Sequence, residues 1–317
     1  MKKDIIRFSH TVLVCTMLLT QLVGCASAAT APLSQSGSSS EQYTNITYPI
    51  VDTGTTKFYS DTAVINAPNE GEAYFGQDAQ YQSNAPSYTN NGDGTISDNV
   101  TGLMWQQDMG EKMTFEDAKS AAEACTLGGY DDWRIPTIKE LYSLIQFTGT
   151  SGGEKAGDKQ FIDTNYFVQP IGDTSIGERE IDAQTWSSTE YVGKTMNNAQ
   201  TIFGVNFIDG RIKGYSKYKG STGTENVMYF RLVRGNTDYG KNNFVDNGDG
   251  TITDLATGLM WQKSDSSQGM DWEDALTYAE ESELASYDDW RLPTHAFFIL
   301  SIEAPPYHIR LNNNINT

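Results

Sequence analysis

Apolar and polar positions alternate with different periods along the chain, and each period predicts a different element. Residues 11–24, Thr-Val-Leu-Val-Cys-Thr-Met-Leu-Leu-Thr-Gln-Leu-Val-Gly, form an apolar run too short for a stable bilayer crossing, which takes about 20 apolar residues. Further on, Phe115, Ala118, Ala122 and Cys125 recur at helical spacing, and Thr114 with Asp117 supplies a cap for the first turn. A capping box, Thr137-Ile-Lys-Glu140, opens a second helix whose apolar face is Leu141, Leu144 and Ile145. Alternation predicts strands over 201–207 and 227–233, the first turning back through Asp209-Gly210. Ahead of the helices, Tyr43, Tyr48, Phe58, Tyr59, Tyr74, Phe75, Tyr81 and Tyr88 are interrupted by Asn, Gly and Pro and read as short strands. Residues 148–195 are glycine-rich and acidic with little periodicity, the pattern of a functional loop.

An internal repeat sets the architecture. Asn91-Gly-Asp-Gly-Thr-Ile-Ser-Asp-Asn-Val-Thr-Gly-Leu-Met-Trp-Gln106 recurs as Asn247-Gly-Asp-Gly-Thr-Ile-Thr-Asp-Leu-Ala-Thr-Gly-Leu-Met-Trp-Gln262. Tyr130-Asp-Asp-Trp-Arg-Ile-Pro-Thr137 recurs as Tyr287-Asp-Asp-Trp-Arg-Leu-Pro-Thr294. Asp271 and Asp274 cap the second copy's helix as Thr114 and Asp117 cap the first. A full module therefore runs hairpin, helix, turn, helix and then strands, ending near Gly235. After Thr294 the second copy departs from the first: His295-Ala-Phe-Phe stands where the first has Ile-Lys-Glu-Leu, and no capping Glu follows. This reads as a truncated or frame-shifted module without its second helix and closing strands. Such a module leaves apolar surface exposed or docks it on its neighbour.

The N-terminal pattern places the chain outside the cytoplasm. Lys2, Lys3 and Arg7 precede the apolar run, the layout of a secretory signal. It ends in Leu22-Val-Gly-Cys25, which resembles the lipobox of bacterial lipoproteins, in which the cysteine takes a diacylglycerol; the alternative is ordinary cleavage at Ala26-Ser-Ala28. The expectation is a signal peptide over 1–24, lipidation of Cys25, and a Ser-rich flexible tether over 25–41. Such an anchor implies a membrane partner through lipid, in the bacterial cell envelope. Ala26 stands where Gram-negative lipoproteins held at the inner membrane resemble one another in carrying Asp, which favours the outer membrane; otherwise the protein is secreted or periplasmic. Of three cysteines, Cys15 lies in the signal and Cys25 takes the lipid, so Cys125 has no disulfide partner in the mature chain. A formal net charge of -19 repels nucleic acid and anionic membrane and excludes a general polyanion binder.

Five ordered blocks carry a resemblance: Asn91-Gly-Asp-Gly-Thr-Ile, Thr101-Gly-Leu-Met-Trp105, Asp132-Trp-Arg-Ile-Pro-Thr137, Thr185-Trp-Ser-Ser188 and Phe230-Arg-Leu-Val-Arg234. Together they resemble the C-terminal domain family of the Legionella collagen-like protein. The resemblance implies an α+β, C-type lectin-like fold of two helices with small antiparallel sheets. On that reading 42–235 is a full lectin-like module, 244–294 a partial second module at the C-terminus, and 295–317 an aberrant tail. It also implies a surface module for adhesion, with a glycan or an envelope protein as partner. The Trp-Arg-Ile-Pro-Thr and Phe-Arg-Leu-Val-Arg blocks are similar to the formylglycine-generating enzymes as well, whose reactive cysteine pair is not matched by the solitary Cys125.

The residues offer little for catalysis. His10 lies in the signal, and His295 and His308 lie in the tail, so the full module has no histidine base, and no catalytic residue or cofactor is expected. The Asn-Gly-Asp-Gly block lacks carboxylates at the first and last positions of an EF-hand loop and reads as a hairpin turn, so no metal site is assigned. Arg134 beside Asp131 and Asp132 reads as a structural ion pair. For ligand binding the candidates are Trp186, as a stacking ring, and Asp173, Glu178, Glu180 and Asp182 in the acidic loop. The leading expectation is a binding protein; the alternatives are a structural envelope protein and an uncharacterised hydrolase.

Overall fold

A computed structural model describes residues 46–195, 198–220 and 222–301. The signal peptide, Cys25, the tether and most of the tail lie outside the described residues. Both copies of the repeat belong to one compact unit, residues 43–317.

Polar side chains build the first turns. The hairpin β1 (Phe58–Tyr59) and β2 (Val64–Ile65) is held from outside by Gln77, whose amide donates to the Tyr59 carbonyl at 2.8 Å and accepts from its N–H at 2.9 Å. Strands β3 (Tyr88–Asn90), β4 (Thr95–Asp98) and β5 (Met104–Gln106) follow as an antiparallel meander. The Asn-Gly-Asp-Gly block is the β3–β4 turn. Gly92 and Gly94 take φ of 78° and 86°, a region a side chain would resist. Asp93 accepts from the Thr95 N–H at 3.0 Å and hydroxyl at 2.6 Å, and these bonds hold its carboxyl below the usual carboxylate range. Asp98 closes the next turn by accepting from the N–H groups of Val100 and Thr101.

Both predicted helices are present with their predicted caps. In α1 (Phe115–Glu123), Thr114 accepts from the Asp117 N–H at 3.1 Å, and Phe115, Ala118 and Ala122 are buried. In α2 (Ile138–Tyr142) both halves of the capping box form, Glu140 N–H to Thr137 Oγ1 at 3.2 Å and Thr137 N–H to Glu140 Oε2 at 2.8 Å. The helix is one turn shorter than its apolar face, so Leu144 and Ile145 enter the core from the following turn. Arg134 does not pair with Asp131 or Asp132 as expected; it makes a two-pronged ion pair with Glu140 at 2.6 and 2.7 Å, while Asp132 meets Arg234 at 2.6 Å. Glu140 is almost wholly buried, so its charge needs that fork. Glu140→Gln is expected to lower stability by about 2 kcal/mol, read by urea unfolding, because one prong and the cap both weaken.

The irregular stretch contains a small hairpin, β6 (Ser151–Gly152) with β7 (Lys155–Ala156). It leads to β8 (Thr185–Glu190), β9 (Thr201–Asn206), β10 (Arg211–Ser216), β11 (Tyr229–Phe230) and β12 (Val233–Arg234). The sheet order is β10-β9-β8-β11, and β11 runs parallel to β8, so the sheets are not all antiparallel as expected. Two residues later β12 joins the other sheet, pairing with β5 at Val233–Trp105. Residues 229–234 thus stitch the two sheets together. Between the two strands, the Arg231 guanidinium is fully buried and donates to the carbonyls of Gln106, Gln107 and Val168 at 2.6 to 2.9 Å.

The second copy repeats the first down to its hydrogen bonds. Strands β13 (Phe244–Asp246), β14 (Thr251–Asp254) and β15 (Leu259–Gln262) form a three-stranded sheet, followed by α3 (Trp272–Glu280) capped by Asp271. Asp249 holds Thr251 as Asp93 holds Thr95, and Trp290 Nε1 donates to the Leu284 carbonyl as Trp133 Nε1 does to that of Leu127. The expected loss of the second helix is overturned: α4 (His295–Ser301) follows Thr294, whose hydroxyl accepts from the Phe297 N–H at 3.3 Å without a capping Glu. Ala296, Phe297 and Ile299 pack on the core of the first module, where the His295 ring stacks on Phe147 at 5.0 Å. Apolar contact across the modules stands in for the missing cap.

Candidate functional site

The acidic loop does not assemble a site from its carboxylates. Asp173 caps the 3-10 turn Thr174–Ile176, accepting from the Ser175 N–H at 2.9 Å and hydroxyl at 2.6 Å, and these bonds lower its pKa. Glu178 pairs with Lys112 at 2.6 Å, and Glu180 accepts from the Ala156 N–H at 2.8 Å. Asp182 is held by Arg179 at 2.7 Å, which keeps its carboxyl below the usual range. Lys112 also donates to the Asp182 carbonyl at 2.7 Å. The four residues are therefore parts of the loop's own scaffold. Among the described residues no cluster of three or more His, Cys, Asp or Glu side chains could hold a metal ion.

Trp186 is corrected as a stacking residue, because its side chain is fully buried. Its ring meets Phe115 edge-on at 5.4 Å, and its Nε1 donates to the Met113 carbonyl at 3.3 Å. Strand β8 turns it inward under α1, where burying a large aromatic gains most.

An open groove lies above that contact. It has a volume of about 340 Å³ and is bounded by α1, the Trp133-Arg-Ile135 segment and the end of β8. Phe115, Ala122, Trp133 and Ile135 make an apolar floor, and Lys119, Glu123, Arg134, Ser188 and Glu190 make the rim. The floor exists because the apolar stripe of α1 and the strand residues Trp133 and Ile135 share one core cluster with Trp186. The walls are tied together where the N–H of Ser188 donates to the Pro136 carbonyl at 2.7 Å.

Several of the charges around the groove are paired. The ammonium groups of Lys119 and Lys217 each sit 4.7 Å from the centre of the Phe115 ring. Lys217 pairs with Glu190 at 3.0 Å and Glu116 at 3.6 Å, and its hydrogen bond holds the Glu190 carboxyl below its ordinary pKa. The result is an amphipathic surface, apolar below and hydrogen-bonding at the edge. Such a surface suits a ligand with one flat apolar face and a polar perimeter. Sequence reasoning assigned Phe115 and Ala122 to a helix face and Arg134 to an ion pair. The signal that joined them was present: the blocks Asp132-Trp-Arg-Ile-Pro-Thr137 and Thr185-Trp-Ser-Ser188 both contribute to this groove, through Trp133, Arg134 and Ile135 and through Ser188.

A family model described as the Lcl C-terminal domain matches residues 94–234 and 250–299. The first match runs from the β3–β4 turn to the last residue of β12 and contains the whole groove; the second runs from the corresponding turn into α4. No curated protein and no solved structure matches the chain.

Proposed function

We infer, from the premise that this chain belongs to the Lcl C-terminal domain family, that it is an exported binding protein of the bacterial cell envelope. The observation that carries this reading is the groove over Phe115 and Trp133, open, amphipathic and walled by two blocks of the family pattern. The reading is of a C-type lectin-like module that binds a glycan or a loop of an envelope protein, and not of an enzyme. The α+β layout, with two capped helices against small sheets, supports it. So does the groove lining, which offers a hydroxyl, carboxylates and cations but no histidine or cysteine as base or nucleophile. The N-terminal pattern supports lipid attachment at Cys25, and the 25–41 tether then gives the module reach from an outer-membrane anchor.

The groove is tested with glycan and envelope-protein arrays probed by residues 26–317. Ser188 is exposed at the rim, so Ser188→Trp fills the groove without entering the core. Binding is expected to fall at least about tenfold while the thermal midpoint stays within about 2 °C, as for a surface change. Array binding that ignores this substitution would remove the groove from the reading. Anchoring is tested by labelling cells with radioactive palmitate, where label that persists in Cys25→Ala speaks against the lipid.

A further inference from the structure

The second copy shows what can sit on the surface that corresponds to the groove. Matching the helix caps Thr114 and Asp271, and the Tyr130–Thr137 block with Tyr287–Thr294, sets Phe115 against Trp272, Lys119 against Leu276, Glu123 against Glu280 and Arg134 against Arg291. Each of these four residues of the first copy lines the groove. In the second copy three of the counterparts hold a segment from the first module, residues 74–81. The Tyr74 ring meets Trp272 at 5.7 Å, the Tyr81 hydroxyl donates to the Glu280 carboxylate, and the Arg291 guanidinium lies over the Tyr81 ring at 4.9 Å. Gly76 passes so close to Glu280 that a side chain at that position would strike the carboxylate. The segment is thus fitted to this surface along its length, with a tyrosine as the anchor at each end.

The first copy keeps the same groups on an open surface. Glu123 is exposed at the rim, and the fork with Glu140 engages the two terminal nitrogens of Arg134 and fixes its guanidinium plane. The rim differs at one place: Lys119 stands where the second copy has the buried Leu276, and its cation favours a carboxylate on the occupant. Resting on the reading of the groove as the binding site, we propose that its occupant is a tyrosine side chain of a partner protein. The phenol donates to Glu123, the ring lies on Arg134, and a carboxylate of the same segment meets Lys119. A sugar has no π face to offer a guanidinium, which moves the choice from glycan to protein. This chain's own 74–81 segment is already seated on α3, so a second copy does not supply the tyrosine.

The test uses the full chain in detergent and, as probe, a synthetic peptide of residues 72–83, which carries Tyr74, Asp78 and Tyr81, with binding read by calorimetry. Saturable binding is expected below about 1 mM, and Glu123→Ala in the chain or Tyr81→Phe in the peptide should each weaken it about tenfold, the scale of a hydrogen bond to a charged group. The two changes together should weaken it no further than either alone, because both remove the same bond. Glu123 is exposed, so its substitution should leave the thermal midpoint within about 2 °C. Absence of peptide binding, or binding indifferent to either change, overturns the proposal. If the arrays then return a glycan whose binding Ser188→Trp abolishes, the groove stands with a different occupant; if no ligand responds to Ser188→Trp, the groove reading falls as well. Self-association of the native chain that Glu123→Ala abolishes also overturns the proposal and gives the groove to a second copy.

Discussion

Replacing Arg231 with alanine is expected to lower the stability of residues 26–317 by about 4 kcal/mol, enough to remove a large share of the 5–15 kcal/mol typical of a folded domain. The side chain is fully buried, and its guanidinium donates to the carbonyls of Gln106, Gln107 and Val168. Alanine removes all three of these hydrogen bonds, leaves the Gln107 carbonyl only the Val168 N–H as donor, and opens a cavity between the two sheets. For a body of this size the thermal midpoint should fall by roughly 8–16 °C, measured by circular dichroism. Arg231→Met separates the two causes, because it fills the space and donates nothing. A methionine variant as stable as the native protein would show that the hydrogen bonds contribute little. Burial also pushes the guanidinium pKa down, to about 9. Because the folded-state value lies below the unfolded one, the electrostatic cost is present in full below that pH and is relieved as pH rises through it. Between roughly pH 6 and 8 this group should therefore give unfolding free energy no slope.

The second large effect is expected at Trp186. Trp186→Ala removes a fully buried indole that packs edge-on against Phe115 and should cost about 4 kcal/mol in urea unfolding. Trp186→Phe keeps much of the packing and loses only the bond to the Met113 carbonyl, so its loss should be about half as great. The phenylalanine variant also decides between two roles. If Trp186 is a support, array binding by its folded fraction stays near the native level. Selective loss of binding in a stably folded Trp186→Phe would return the residue to the ligand surface.

These two residues mark where reading the sequence succeeds and where it stops. The turns and caps were written locally: Asp93 with Thr95, Thr114 with Asp117 and Thr137 with Glu140 act within a few residues, and each pairing is present. Arg134 reads as an ion-pair residue with the wrong partner, because Asp132 lies two residues away in sequence while Glu140 is brought back by the start of α2. Trp186 could not be placed by type, since the same ring serves a core or a sugar. Its burial follows from the pairing of β8 with β9 and β11, which no local pattern specifies. The acidic loop misled for a related reason: its carboxylates look unpartnered until Lys112, 66 residues from Glu178, arrives beside them. The helix α4 shows the converse, an element whose local cap is poor and whose place is secured by Phe147 and the neighbouring core.

The stitch made by residues 229–234 also fixes the order in which the molecule can become itself. A chain emerging N-terminus first has its turns, α1 and α2 available early, but the β11 and β12 contacts that close both sheets wait for the last residues of the module. Until then Trp105 and Trp186 lack their final cover, and contacts between residues so far apart in sequence form slowly. On the reading of the chain as an exported protein, that delay is useful: a module unable to close before residue 234 appears stays threadable for as long as it is being passed across a membrane.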